Sequence, residues 1–258
     1  MKLRKLAAAF SACILAACCT SCEKNNEESV SLPEIGENGV SDLISPAADS
    51  DEYELGQYYY STNGTKLYCG DETVPVEALL ALDNYFTTFQ NNDFEGYKST
   101  LYPDYAERYE KYLREVYSKE EDVDDDYSLK NSFEKRYNWF NDTIKNTLLY
   151  ESDEDKEFTG EFKLTRIRAE HPTYEEGMTE EEFVKTFFDE YAEIFNMDYY
   201  EFIKNAGDRL VPFTFFVMVE AEDEKEHMII GGGTTENPNE GAAYIVLAEK
   251  DGKYYTFG

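Results

Sequence analysis

The feature that most constrains this chain is the point at which its aromatic residues begin. All 22 tyrosines, the single tryptophan and all but one of the 17 phenylalanines lie from Tyr53 onward. Between Glu23 and Glu52 there is no aromatic residue. A core needs large apolar side chains, so it has to be built from residues 53–258, a length that supports one good core or two small ones. We read that stretch as a single domain. Residues 18–52 hold Lys24 against nine acids between Glu23 and Glu52, and are rich in Asn, Ser, Gly and Pro. Such a composition buries too little apolar surface to offset chain entropy, which predicts a disordered acidic tether over 18–52.

What precedes the tether explains the cysteines. Four of five, Cys13, Cys18, Cys19 and Cys22, fall within ten residues. Lys2, Arg4 and Lys5 form a basic start, and Leu6–Ala17 carries no charge and is too short to span a bilayer. This is the pattern of a signal peptide over 1–17. Its end, Leu15-Ala16-Ala17-Cys18, resembles the lipobox of bacterial lipoproteins. The resemblance implies acylation of Cys18, with Cys22 as the alternative. It also implies an extracytoplasmic body anchored in the lipid of the bacterial cell membrane. Two or three acyl chains, at about 0.8 kcal/mol per buried CH₂, suffice for stable anchoring. A metal centre at Cys18 and Cys22 lacks a second ligand pair. The remaining cysteine, Cys69, reads as a small core hydrophobe.

The formal charge is −31, and it becomes more negative once the basic signal is removed. Nucleic acid requires a basic face, so it is excluded as a partner. The remaining partners are a small ligand or another protein, with a homodimer left open.

Periodicity places the elements. Tyr53–Tyr68 reads as a hairpin about Asn63-Gly64. Pro75 opens a helix with Leu79, Leu82, Phe86 and Phe89 in one stripe, ended by Asn91-Asn92-Asp93. Helices follow at Phe94–Leu101, from Tyr105 and over Ser128–Tyr150. Phe158–Glu170 reads as a strand. Thr179-Glu180-Glu181-Glu182 is a capping box opening a helix with Phe183, Phe187, Tyr191 and Ile194 inward. Asp198 starts a short helix, and strands follow at Leu210–Ala221, His227–Ile230, Ala242–Glu249 and Tyr254–Phe257. The fold class is therefore α+β, with helices packed on one face of a curved antiparallel sheet. The helical start Ala78–Tyr112, with its Asn-Asp-Phe-Glu break, and the closing hairpin VLAEKDGKYYTF resemble the nuclear transport factor 2-like (cystatin-like) family. That resemblance implies a cone with room for a ligand.

Catalytic motifs are scarce. His171 and His227 are isolated in sequence, which disfavours a zinc site. Asp122, Asp124 and Asp126 begin like an EF-hand loop, but Tyr127 and Phe133 stand where Gly and Glu are required. No cofactor or metal is expected. The resemblance implies that a ketosteroid isomerase-like member would use an Asp base and a Tyr donor inside the cone, for which the candidates are Asp83 and Tyr85. Arg166 and Arg168 alternate with Ile167 and Ala169, on the strand face of Phe162 and Leu164; either both point outward, or one pairs with an acid in the cone, and ion pairing is the default in so acidic a chain. Trp139 lies about 100° from the stripe of Phe133, Tyr137, Phe140 and Ile144, at 100° per residue. A helix between cone and tether would have two faces to cover, which draws Trp139 inward; a contact surface is the other reading. The function these observations favour is a non-catalytic, membrane-anchored surface lipoprotein that binds a ligand or partner. The alternative is a small-molecule isomerase or hydratase.

Overall fold

The computed structural model describes residues 33–117, 132–151, 160–174, 176–231 and 243–258. Its helices are α1 (Val76–Gln90), α2 (Phe94–Thr100), α3 (Tyr105–Tyr117), α4 (Phe133–Glu151), α5 (Glu180–Phe195) and α6 (Tyr199–Asn205). Its strands are β1 (Tyr58–Tyr60), β2 (Lys66–Cys69), β3 (Phe162–Glu170), β4 (Arg209–Ala221), β5 (Glu226–Ile230), β6 (Ala243–Lys250) and β7 (Lys253–Tyr255). The class is α+β. The seven strands run in the order β1-β2-β3-β4-β6-β7, with β5 also paired to β4. β1–β2, β3–β4, β4–β5 and β6–β7 pair antiparallel, and β2 with β3 is parallel. The sheet is therefore mixed rather than antiparallel. Four helices separate β2 from β3 in the chain, and a connection of that length lets β3 enter in the direction of β2.

Local sequence accounts for the element ends. Asn92 at φ 52° takes the left-handed conformation that stops α1, and Asp93 then caps α2 by accepting from Gly96 N. The Thr179–Glu182 capping box of α5 is formed in both directions. Asp198 caps α6. Asp251 and Gly252, at φ 52° and 75°, turn β6 into β7.

The chain groups into two compact units. Among the described residues, the first comprises 33–83, 161–171, 214–231 and 243–244, and the second 84–117, 132–151, 160, 172–174, 176–213 and 245–258. In the first, β3 is irregular between Leu164 and Arg166. An extra residue there reverses the alternation of side chains. Leu164, Ile167 and Ala169 face Val219, Val217 and Phe215 in register, and all of them are buried. Arg166 and Arg168 pair with Met218 and Phe216, on the face that also carries Lys163 and Glu170. The two arginines thus leave the face of Phe162 and Leu164, correcting the simple period-2 reading.

The same unit corrects the tether. Residues 18–32 lie outside the described residues, but 33–52 pack along β1. Val40 bridges Ser61, Ile44 bridges Tyr58, and Val40 is only 1% exposed. Ser41 N donates to Tyr60 O at 2.9 Å and Ile44 N to Tyr58 O at 2.8 Å. Backbone pairing to a strand edge needs no aromatic residue, which is why composition missed it.

The second unit is an aromatic core. Phe89 stacks on Tyr137 with centroids 4.9 Å apart, and Tyr137 Oη donates to Thr88 O at 2.6 Å. Tyr105, Phe188 and Tyr199 each lie against Phe257. On α5 the fully covered side chains are Val184, Phe188 and Ile194, while Phe183, Phe187 and Tyr191 are half-buried. The buried stripe is rotated by one residue in its first turns relative to the sequence reading.

Candidate functional site

Asp83 and Tyr85 do not form a base–donor pair. Residues two apart on a helix point about 200° apart, so one helix cannot aim both into one site. Asp83 is fully buried, and its Oδ2 accepts from Asn63 Nδ2 at 2.8 Å. Burial raises its pKa, while the hydroxyls of Thr65 and Ser61 and the amide of Asn63 work against that rise. This is a carboxylate that ties α1 to the β1–β2 turn. Tyr85 belongs to the aromatic core, with Tyr97 at 5.5 Å and Phe89 at 5.3 Å, and burial lifts its hydroxyl well above the usual phenol range.

Arg166 enters an ion network. Its Nε donates to Glu226 Oε1 at 2.9 Å, and Nη2 lies 3.4 Å from Glu52 Oε1. Lys66 Nζ donates to the same Glu52 at 2.6 Å. Burial pushes the Glu52 carboxyl up, but Lys66 and Arg166 outweigh it and hold the pKa below the usual range. Two cations meet two anions, leaving no net charge for a ligand to answer. Arg168 Nη2 pairs with Glu170 at 2.9 Å.

The histidines are also engaged. His171 Nδ1 lies 3.2 Å from Asp71 Oδ2 and 3.1 Å from Thr73 Oγ1. An acid–His–nucleophile relay needs acid and nucleophile on opposite ring nitrogens. Here both sit at Nδ1, so Asp71 and Thr73 do not stand on opposite ring nitrogens, and the group ties a loop together. His227 Nε2 lies 3.0 Å from both oxygens of Asp223. An open groove of about 450 Å³ runs past Asp208, Arg209, Glu249 and Lys250. Its charges are matched, Lys250 with Asp208 at 2.9 Å and Arg209 with Glu249 at 2.7 Å. Among the described residues, no three His, Cys, Asp or Glu side chains are grouped to hold a metal ion. Trp139 is 46% exposed, so the inward placement is corrected in favour of the surface. Cys18 and Cys22 lie outside the described residues.

The most distinctive group is one that sequence reading passed over. Arg136 on α4 follows Phe133 by three residues and precedes Phe140 by four, so it stands on the apolar stripe. Its Nη1 donates to Tyr109 Oη at 2.5 Å, and its guanidinium carbon sits 4.5 Å from the centre of the Tyr109 ring. Tyr97, Tyr105 and Tyr191 surround it electrostatically. The rings of Tyr97, Tyr105 and Tyr109 all meet Phe133, at 5.7, 6.0 and 5.7 Å. Tyr105 Oη is buried with no hydrogen-bond partner. Among the described residues no carboxylate pairs with Arg136. The available signal was an arginine at i+3 from Phe133 on a stripe otherwise made of Phe, Tyr and Ile.

Comparison with protein-family models, with curated proteins and with solved structures finds no match.

Proposed function

We propose that the chain is a lipid-anchored binding module displayed outside the bacterial cell membrane, and that it is not an enzyme. The anchor rests on Leu15-Ala16-Ala17-Cys18 behind a basic start and a short apolar segment. The binding role is carried by one observation, a half-buried Arg136 held among tyrosines with no counter-ion among the described residues. A charge of that kind is costly to keep for folding alone, and it is the sort of group that recognition retains. The catalytic alternative loses support because Asp83 and Tyr85 diverge on α1. Kinship with the nuclear transport factor 2-like cone stays part of the proposal, on the helical start and the closing hairpin.

Mass spectrometry of the mature N-terminus tests the anchor. The expected species starts at Cys18 with a diacylglyceryl thioether, or at Cys22 if cleavage uses the second site. A mature chain starting at any other residue type overturns it.

A further inference from the structure

Two Asn-Gly pairs stand in the chain, Asn38-Gly39 and Asn63-Gly64. Asparagine is a chemically labile residue, and it is most so before glycine, which has no Cβ to shield its own backbone nitrogen. The two pairs match in backbone. Gly39 N donates to Gly36 O and Gly64 N to Ser61 O, each at 3.0 Å, and the glycines take φ 84° and 82°. Both asparagines are exposed. Their side chains differ. Asn38 Oδ1 accepts a long contact from Val40 N, at 3.5 Å. Asn63 Nδ2 donates at 2.8 Å to Oδ2 of Asp83, a fully buried carboxylate on α1. The chain thus carries one labile pair twice, once on an open turn and once clamped to a buried acid.

We propose that Asn63 is a latent deamidation site which Asp83 holds shut, and that its conversion irreversibly unties α1 from the β1–β2 turn. In the reaction Gly64 N bonds to the side-chain carbonyl carbon of Asn63, and the bond from that carbon to Nδ2 breaks. Nδ2 leaves as ammonia, taking up through solvent the proton that Gly64 N gives up. Water then opens the five-membered imide to aspartate or isoaspartate. Water is the one co-reactant, and nothing is oxidised or reduced. Ring closure needs the side chain to turn onto Gly64 N, and the bond to Asp83 works against that turn. The product reverses the contact. A carboxylate replaces the amide donor and faces Asp83 Oδ2, and two carboxylates sharing one site cannot both ionise without cost. Burial already disfavours the charge on Asp83. At Asn38 the same reaction leaves a carboxylate on an exposed turn, in water. The site is independent of the lipid anchor and of the binding role.

The test warms the full chain in detergent at neutral pH and follows both asparagines in the same sample by peptide-mapping mass spectrometry. Asn38 converts faster than Asn63 by about tenfold or more, the scale of one hydrogen bond to a charged group. In Asp83→Ala the Asn63 rate rises and the two rates converge. A general loosening of the fold would speed both positions and leave their ratio unchanged, so the ratio isolates the clamp. Should Asp83→Ala fail to fold by near-UV circular dichroism, the product variants decide. Asn63→Asp lowers the urea midpoint, and Asn38→Asp leaves it at the wild-type value. Three results overturn the site: Asn63 converting as fast as Asn38 in the wild type, an unchanged ratio of rates in folded Asp83→Ala, or a wild-type urea midpoint for Asn63→Asp.

Discussion

Replacing Phe89 by alanine removes the ring around which the helices of the second unit assemble. Phe89 is 1% exposed. It stacks on Tyr137 at 4.9 Å and lies 5.1 Å from Phe140, 5.3 Å from Tyr85 and 5.4 Å from Tyr97. A buried Phe→Ala change costs about 3–5 kcal/mol in lost transfer energy and cavity. Aromatic pairs add roughly 0.5–1.5 kcal/mol each beyond area. Four such neighbours, none able to refill the space without leaving its own partners, place Phe89→Ala at the top of that range, about 5 kcal/mol. Against a total stability of about 5–15 kcal/mol for a domain, this is a large share. Urea unfolding followed by far-UV circular dichroism measures it, with near-UV circular dichroism of the tyrosine cluster as an independent probe. A loss under about 2 kcal/mol with an unchanged denaturant slope would refute the reasoning, because it would mean the cluster closes over the gap.

Trp139→Ala leaves stability within about 0.5 kcal/mol, since the side chain is a surface one, and its emission in the native protein is red-shifted and open to quencher; a blue, protected emission contradicts the exposed placement. Val40→Asp places a charge where the chain pairs with β1, and unfolding costs fall by several kcal/mol, about 2 at least, as read from the urea midpoint. Limited proteolysis of the wild type spares residues 33–52, and rapid cutting there would restore the tether reading. The acid side follows from two carboxyls whose folded pKa values lie below their unfolded ones. Asp71 falls from 3.8 to about 2, where burial pushes upward but hydrogen bonds from the His171 backbone and from Thr73 prevail. Glu52 is lowered from 4.5. Their stabilisation is complete above the unfolded values and is lost as pH falls through the folded ones. Asp71→Asn therefore flattens the stability curve between about pH 4 and pH 2 and leaves pH 7 to 8 parallel to wild type.

The helices were legible because their signals are local. Pro75 at the start of α1, Asn92 at its end, and the Thr179–Glu182 box are each decided within a turn or two of chain. The α+β class followed from the order of such segments. What escaped depends on partners distant in sequence. The parallel β2–β3 pairing joins Lys66 to Arg166, and nothing near either residue specifies it. The irregularity after Leu164 moves Arg166 and Arg168 to the other face, and a period of two cannot contain it. The docking of Val40 and Ile44 uses backbone groups that every sequence has. Candidate residues fared likewise. Asp83 and Tyr85 are near neighbours on one helix, and the same helical geometry separates them. Arg136 stands in plain view on an apolar stripe, and only its surroundings in space, tyrosine rings with no acid among the described residues, mark it as unusual.

The central claim is that Arg136 is kept for recognition and not for folding. Arg136→Met keeps the length and the apolar stem, removes the charge and leaves the Tyr109 ring covered. Uncompensated half-buried charge is costly, and swaps of buried ionic groups for apolar ones are often neutral or favourable. The account predicts that ligand-free Arg136→Met unfolds in urea at the wild-type midpoint or above it, within about 0.5 kcal/mol or better. A midpoint lowered by about 2 kcal/mol or more would show that the guanidinium holds the tyrosine cluster together, and would contradict the account.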